Sequence, residues 1–125
     1  MTAGPQRNGI SRRLTKRAQF LNAARGVRAG RTGFSLQAIA VADAEPGLGL
    51  TVTNKTGNSP ERNRIRRRLR AAAKACGHAF HAQHDYVLVG RREALTLPFS
   101  RVVADLSSAI DKVHAKVRDP GTQRS

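Results

Sequence analysis

Residues 59–80 constrain this chain more than any other segment. Ile65, Leu69, Ala72, Cys76 and Phe80 follow one another at spacings of four, three, four and four, the period of one helix face. Over the same turns, Arg62, Arg64, Arg66, Arg67, Arg68, Arg70 and Lys74 put seven cations into thirteen positions. At about 100° per residue, with Ile65 at zero, the apolar stripe spans roughly −20° to 60°. Asn63, Arg64, Arg67, Arg70 and Lys74 fall between about 140° and 260°, on the opposite side, and Arg66 and Arg68 flank them. Such a helix must bury one side in a core and turn the other toward something negative. Ser59 is placed to cap it, Pro60 suits its first position and Glu61 its first turn. The spacing predicts a helix from Ser59 to about residue 80.

The cationic side works against helix stability. Like charges three and four apart cost a few tenths of a kcal/mol per pair, roughly, and Arg62 and Arg64 stand at the positive end of the helix dipole. After Glu61 no acid of that type follows until Glu93. Arginine rather than lysine dominates, and a guanidinium fork can hold two phosphate oxygens at once. The pattern therefore points to polyanion binding rather than to a merely solvated face. The whole chain agrees: 23 Lys and Arg against 8 Asp and Glu give a net charge of +15. That much self-repulsion disfavours a compact state unless a polyanion neutralises it, and nucleic acid is the default partner. An anionic membrane would call for a basic anchor with large apolar residues, whereas these basic stretches are rich in Arg and Ala. No apolar run approaches a bilayer span, and the basic stretch Met1–Arg13 lacks the apolar region of a secretory signal. Cys76 is the only cysteine, so no intrachain disulfide is expected. The expected compartment is the cytoplasm.

Elsewhere helix and strand patterns alternate. Leu14–Ala24 is rich in helix formers, enough for about three turns, and Gly26 and Gly30 end it. Gly33–Ala42 reads as a strand, with Phe34, Leu36, Ala38 and Ala40 on one face and Ser35 and Gln37 on the other. Glu45-Pro46-Gly47 marks a turn, and in the strand Leu48–Thr53 the residues Leu48, Leu50 and Val52 alternate with Gly49, Thr51 and Thr53. Tyr86–Gly90 is a short apolar strand. Pro98 opens a last helix whose stripe is Phe99, Val102, Val103, Leu106, Ile110, Val113 and Val117. The order helix, strand, strand, helix, strand, helix predicts one α+β domain over residues 12–117, an α/β sandwich with its apolar sheet face packed on helices. The other sheet face is expected to be polar and, beside a basic first helix, to form a groove for a single strand. Residues 1–11 and 118–125 are expected to be disordered tails.

The segment from Gly49 to Arg70 resembles the signature of the bacterial ribonuclease P protein family: a strand, a Gly57-Asn58 loop, then Arg62-Asn63-Arg64 and further cations. Three more stretches match in order. Arg13–Phe20 is similar to the family's first helix, Asp85–Arg91 to its late strand, and Leu97–Leu106 to its last helix. The resemblance implies a sandwich with a central mixed sheet, in which the arginine helix lies in a left-handed βαβ crossover, against the general right-handed rule. It implies the protein subunit of an endoribonuclease that removes the 5′ leader of precursor tRNA, with catalysis by the RNA subunit. Lys55, Asn58, Arg62, Asn63, Arg64, Arg66, Arg67, Arg68, Arg70 and Lys74 are then the residues expected on ribonuclease P RNA. Arg13, Lys16, Arg17, Phe20, Gln37 and Thr51 are those expected on the leader of precursor tRNA. Phe20 fits a stacking platform or a core position equally well. Two aromatic positions of some members are Ala24 and Gln37 here, which implies weaker stacking, and a loop cation of the family is replaced by Asn54.

Phosphodiester hydrolysis by a protein usually needs clustered carboxylates on a metal. Asp43, Glu45, Glu61, Asp85, Glu93, Asp105, Asp111 and Asp119 are scattered, so no catalytic residue and no protein metal site is expected. Mg²⁺ is expected on the RNA subunit and substrate. His78, His81 and His84 lie three apart, but Gly77 and the helix end scatter their directions, and surface histidines are the plainer reading. Cys76 on the apolar stripe reads as a buried small hydrophobe. The main alternative is a ribosomal or ribosome-associated RNA-binding protein with no processing role. A protein-only nuclease conflicts with the scattered acids. A helix-turn-helix DNA binder would mix more base-reading side chains into its recognition helix.

Overall fold

Five strands pair into one mixed sheet in the computed structural model, which describes residues 12–118. In chain order they are β1 (Arg12–Arg13), β2 (Val27–Gly30), β3 (Phe34–Ala40), β4 (Gly47–Thr51) and β5 (His84–Gly90). Their order across the sheet is β1-β4-β5-β3-β2. β4 runs parallel to β1 and β5, while β3 is antiparallel to β5 and β2. Three helices complete the domain: α1 (Arg17–Ala24), α2 (Ser59–Ala75) and α3 (Phe99–Arg118). Parallel neighbours need a crossover, and α2 supplies it between β4 and β5.

Strand alternation divides the sheet into two faces. Phe34, Leu36 and Ala38 of β3, Leu48 of β4, and Tyr86 and Leu88 of β5 share one face and are buried. Ile65, Leu69, Ala72 and Ala73 of α2 close over them, with Val102, Leu106, Ala109, Ile110 and Val113 of α3. The expected stripes are therefore the core, except at their ends. Ala40 is exposed, Phe99 retains 41% exposure, and Val117 lies beyond the described side chains.

The second face departs from the expectation. It is not simply polar: Leu14, Ala23 and Val87 form a small core there, with Phe20, Ile39 and Val89 against it. α1 packs on this face, so the sheet is covered on both sides. The first helix is also shorter than expected. Leu14 is buried ahead of it, and Gln19 Oε1 accepts the N–H groups of Thr15 and Lys16 at 2.9 Å, which fixes the helix start.

Two strands lie where no strand pattern is visible in sequence. β2 spans only four residues, yet pairs from Val27 opposite Ala38 to Gly30 opposite Ser35. Gly26 is obligatory at its entry, because a Cβ there would stand 2.0 Å from the Ala38 carbonyl oxygen. β1 is two residues long and is fastened by charge: Arg12 reaches Asp85 at 2.5 Å and Asp43 at 3.3 Å. The cap of α2 is Asn58 rather than Ser59, and the helix ends at Ala75, not near residue 80. Phe80 is still buried because the 3₁₀ turn Gly77–Ala79 returns it to the core. The expected tails, Arg118 apart, lie outside the described residues.

Candidate nucleic-acid interface

The start of α2 is built from local hydrogen bonds. Asn58 Oδ1 accepts the Glu61 N–H and Glu61 Oε1 accepts the Asn58 N–H, both at 2.9 Å, a reciprocal cap that satisfies two end donors. Arg92, from the 3₁₀ turn Arg92–Leu95, grips the same carboxylate at 2.9 and 3.1 Å. The Arg92 hydrogen bond, with the Asn58 N–H, holds the Glu61 carboxyl below the usual carboxylate range.

The cations of α2 then fall into two groups. Arg64, Arg67, Arg70 and Lys74 are exposed, and nothing within the described structure bonds their charged ends. Asn63 is exposed beside them and accepts from Arg66 Nη1 at 3.1 Å. Arg62 and Arg68 are turned inward instead. Arg62 donates to the Gly57 carbonyl at 2.7 Å and to Ser59 Oγ at 3.2 Å. Arg68 donates to the carbonyls of Ala94, at 2.8 Å, and Leu97. Of the other residues expected on the RNA subunit, Lys55 is exposed on the turn Asn54–Thr56 and Asn58 is occupied as the cap.

A second surface lies across the sheet. Phe20 is half-buried, its ring seated on β4: a Cβ at Gly49 would come within 2.6 Å of it. Register puts Gly49 beside Val87 and Val87 beside Gln37, with Thr51 beside Val89 in the next row. Gln37 is thus two strands from Gly49, about 10 Å, and Thr51 is two residues along, about 7 Å. The structure brings Phe20, Gln37 and Thr51 onto one face, and all three are partly exposed. Arg13 is exposed on the edge strand β1, in register with Leu48, whose side chain belongs to the other face, whereas Lys16 and Arg17 are exposed at the start of α1. Two further cations share this face without having been singled out from sequence. Arg28 is paired in register with Gln37, and Arg91 leans over Gly30 at the end of β5. The overlooked strand β2 was the missing signal, since only its register shows where Arg28 points.

Four of the described acids are held in ion pairs. Asp43 and Asp85 hold Arg12, Glu61 holds Arg92, and Asp105 holds Arg101 at 3.2 Å. Among the described residues no three His, Cys, Asp or Glu side chains are grouped to hold a metal ion. Two of the three singled-out histidines do meet, with a fourth: His81 stacks on His114 at 3.5 Å, and His84 meets His114 edge-on at 4.7 Å. Tyr86 joins them, its hydroxyl 2.6 Å from His114 Nε2 and accepting the His81 N–H. Burial pushes that phenol up to about 12. His78 is exposed and outside this group. Cys76 is buried, and burial pushes its thiol up.

The ribonuclease P family model matches residues 10–114 of the chain. The chain belongs to the ribonuclease P protein family. The ribonuclease P protein component of Brucella suis is 38% identical over 108 residues, covering 78% of this chain and 77% of its own. That of Gluconacetobacter diazotrophicus is 41% identical over 103 residues, covering 80% and 89%. The fold agrees with solved structures: the RNase P protein of Thermotoga maritima superposes with a TM-score of 0.72 at 21% identity, covering 82% of this chain and 98% of that one. Membership makes the chain a protein component of a tRNA-processing ribonuclease, and the alternative of a ribosomal protein is not favoured. No described helix is long and apolar enough to cross a membrane.

Proposed function

We propose that this family member joins two RNAs through opposite faces of its sheet. Arg64, Arg67, Arg70 and Lys74 of α2, with Asn63 and Arg66, bind ribonuclease P RNA. Lys16, Arg17, Phe20, Gln37 and Thr51 hold the single-stranded 5′ leader of precursor tRNA over α1 and the second sheet face. The observation that carries this reading is the placement of α1 and α2 on opposite sides of one sheet, each with exposed cations. The turn carrying Lys55 connects the end of β4 to the start of α2 and places that cation at the N-terminal end of the helix.

The protein contributes affinity and charge neutralisation rather than bond cleavage. Asp43, Glu61, Asp85 and Asp105 are held by arginines, and among the described residues no side chains are grouped as a cation cage. The activation that phosphodiester hydrolysis requires would come from Mg²⁺ held by the RNA subunit and substrate rather than by these side chains. The protein's cations lower the repulsion between the two RNAs, an effect that matters most where Mg²⁺ is scarce.

The test is cleavage of 5′-labelled precursor tRNA at low Mg²⁺ by the protein, by a bacterial ribonuclease P RNA, and by both. Cleavage at the mature 5′ end that requires both is the expected result. Cleavage by the protein alone overturns the assignment of chemistry to RNA. Absence of stimulation with several RNA subunits overturns the partnership.

A further inference from the structure

We propose that Arg68 is a positioning residue rather than an RNA contact. With the Glu61–Arg92 pair it fixes the rotation of α2, so that Arg64, Arg67, Arg70 and Lys74 meet the RNA as one array. The proposal rests on the reading of α2 as the RNA-binding helix.

Glu61 and Arg68 stand two helical turns apart, at about −40° and −60° from Ile65, along one edge of the buried stripe. Both face the segment 92–97. Arg92 at its beginning holds the Glu61 carboxylate with two hydrogen bonds and also donates to the Thr56 carbonyl at 3.2 Å. At its far end, Arg68 donates through Nε to the Ala94 carbonyl and through Nη2 to the Leu97 carbonyl. Leu97 immediately precedes Pro98 and the start of α3. The segment is thus fastened to α2 through Glu61 and through Arg68, and Ala94, whose carbonyl Arg68 holds, is fully buried.

A clamp of this form limits rotation. One contact would let the helix turn about it, but two contacts two turns apart, with the Ile65 and Leu69 side chains buried between, do not. The planar guanidinium adds to this, because its two donors fix an angle as well as a distance. The array on the other side needs such a restraint. Arg64, Arg67, Arg70 and Lys74 repel one another at helical spacing, and no acid on α2 beyond Glu61 relieves them. Arg68 is half-buried, and its Nε and Nη2 donors are committed to carbonyls on the side away from the array.

The experiment measures binding of the full chain to a bacterial ribonuclease P RNA across a salt series, for the parent, R67A, R68M and R68K. Circular dichroism in sulfate verifies that each is folded at the binding temperature. R67A is expected to lower the salt slope by about one unit, the loss of one phosphate contact. R68M is expected to keep the parental slope while binding roughly tenfold more weakly, about the effect of one lost charge-assisted hydrogen bond. R68K, which restores the charge without the fork, is expected to stay as weak as R68M. If R68M does not fold, E61Q takes its place, since it loosens the other end of the clamp and keeps every cation. Its expected result is the same weaker binding with an unchanged slope. A slope lowered by R68M and restored by R68K overturns the proposal by making Arg68 a phosphate contact. Parental affinity in R68M reduces Arg68 to a fold stabiliser and also overturns it. An R67A slope equal to that of a binding-competent parent overturns the reading of α2 itself, and the proposal with it.

Discussion

Phe20 shows how one side chain serves both fold and proposed function. Its ring lies on Gly49 and against the small core of Leu14, Ala23 and Val87, yet it stays partly exposed on the sheet face that also carries Thr51 and Gln37. A half-buried ring on a sheet is a usable stacking surface, and base–aromatic stacking contributes about 1–3 kcal/mol per base. Phe20→Ala is therefore expected to weaken precursor tRNA binding by the assembled enzyme by roughly tenfold, within that range, and to leave mature tRNA nearly unaffected. Equilibrium binding of both substrates checks this, with urea unfolding as the control for the packing lost from the α1 core. Equal loss for both substrates removes Phe20 from the leader surface. The sequence alone left this ring divided between core and surface. The reason is physical: α1 buries only Ala23 fully, so no apolar stripe announces which way the helix faces.

At the scale of elements, legibility followed length and periodicity. α2 and α3 bury long stripes, and their core sides could be read by counting in steps of three and four. Their ends could not be read so easily. Asn58 and Ser59 are both capping types in succession, and only the reciprocal bonds with Glu61 show that Asn58 is the cap. The apolar period runs on to Phe80 although the helix stops at Ala75, because a 3₁₀ turn buries Phe80 as well as another helical turn would. β1 and β2 are too short to show alternation; an ion pair and a tight glycine approach define them instead. Among the cations, a helical wheel sets Arg68 about 100° from Arg67, at the flank of the array, but cannot show that one is engaged within the fold and the other is not. Their difference depends on two carbonyls of a segment nearly thirty residues away. The cap has a measurable consequence. Asn58→Ala removes the acceptor for the Glu61 N–H, and loss of such a cap costs about 1 kcal/mol, with a range of roughly 0.5–2. Urea unfolding is expected to show a lower midpoint at an unchanged m-value. A midpoint equal to the parent's would mean that the Arg92–Glu61 grip alone sets the start of α2.

The whole molecule carries cations on both sides of its sheet with few acids to offset them. The exposed cations of α1 and α2 have no carboxylate partners in the described structure, and the acids that do pair are bound to Arg12, Arg92 and Arg101. With a net charge of +15 on 125 residues, folding gathers like charges that the unfolded chain holds further apart. Anything anionic that binds the folded array and not the unfolded chain shifts the balance by mass action, by RT ln(1 + [L]/Kd). A divalent tetrahedral oxyanion is the simplest stand-in for an RNA phosphate, and guanidinium forks are shaped to hold it. Thermal unfolding is therefore expected at a higher temperature in sodium sulfate than in sodium chloride at matched ionic strength. General screening is equal in the two salts. Sulfate also strengthens apolar burial in any protein, so the parent must be compared with a variant. The triple substitution R64A/R67A/R70A is expected to melt higher than the parent at low salt, because it relieves repulsion, and to lose most of the extra stabilisation by sulfate. If the parent and the triple variant gain equally from sulfate, α2 is not an anion-binding face. The charge of this chain would then have to be matched to RNA through α1 and the second sheet face instead.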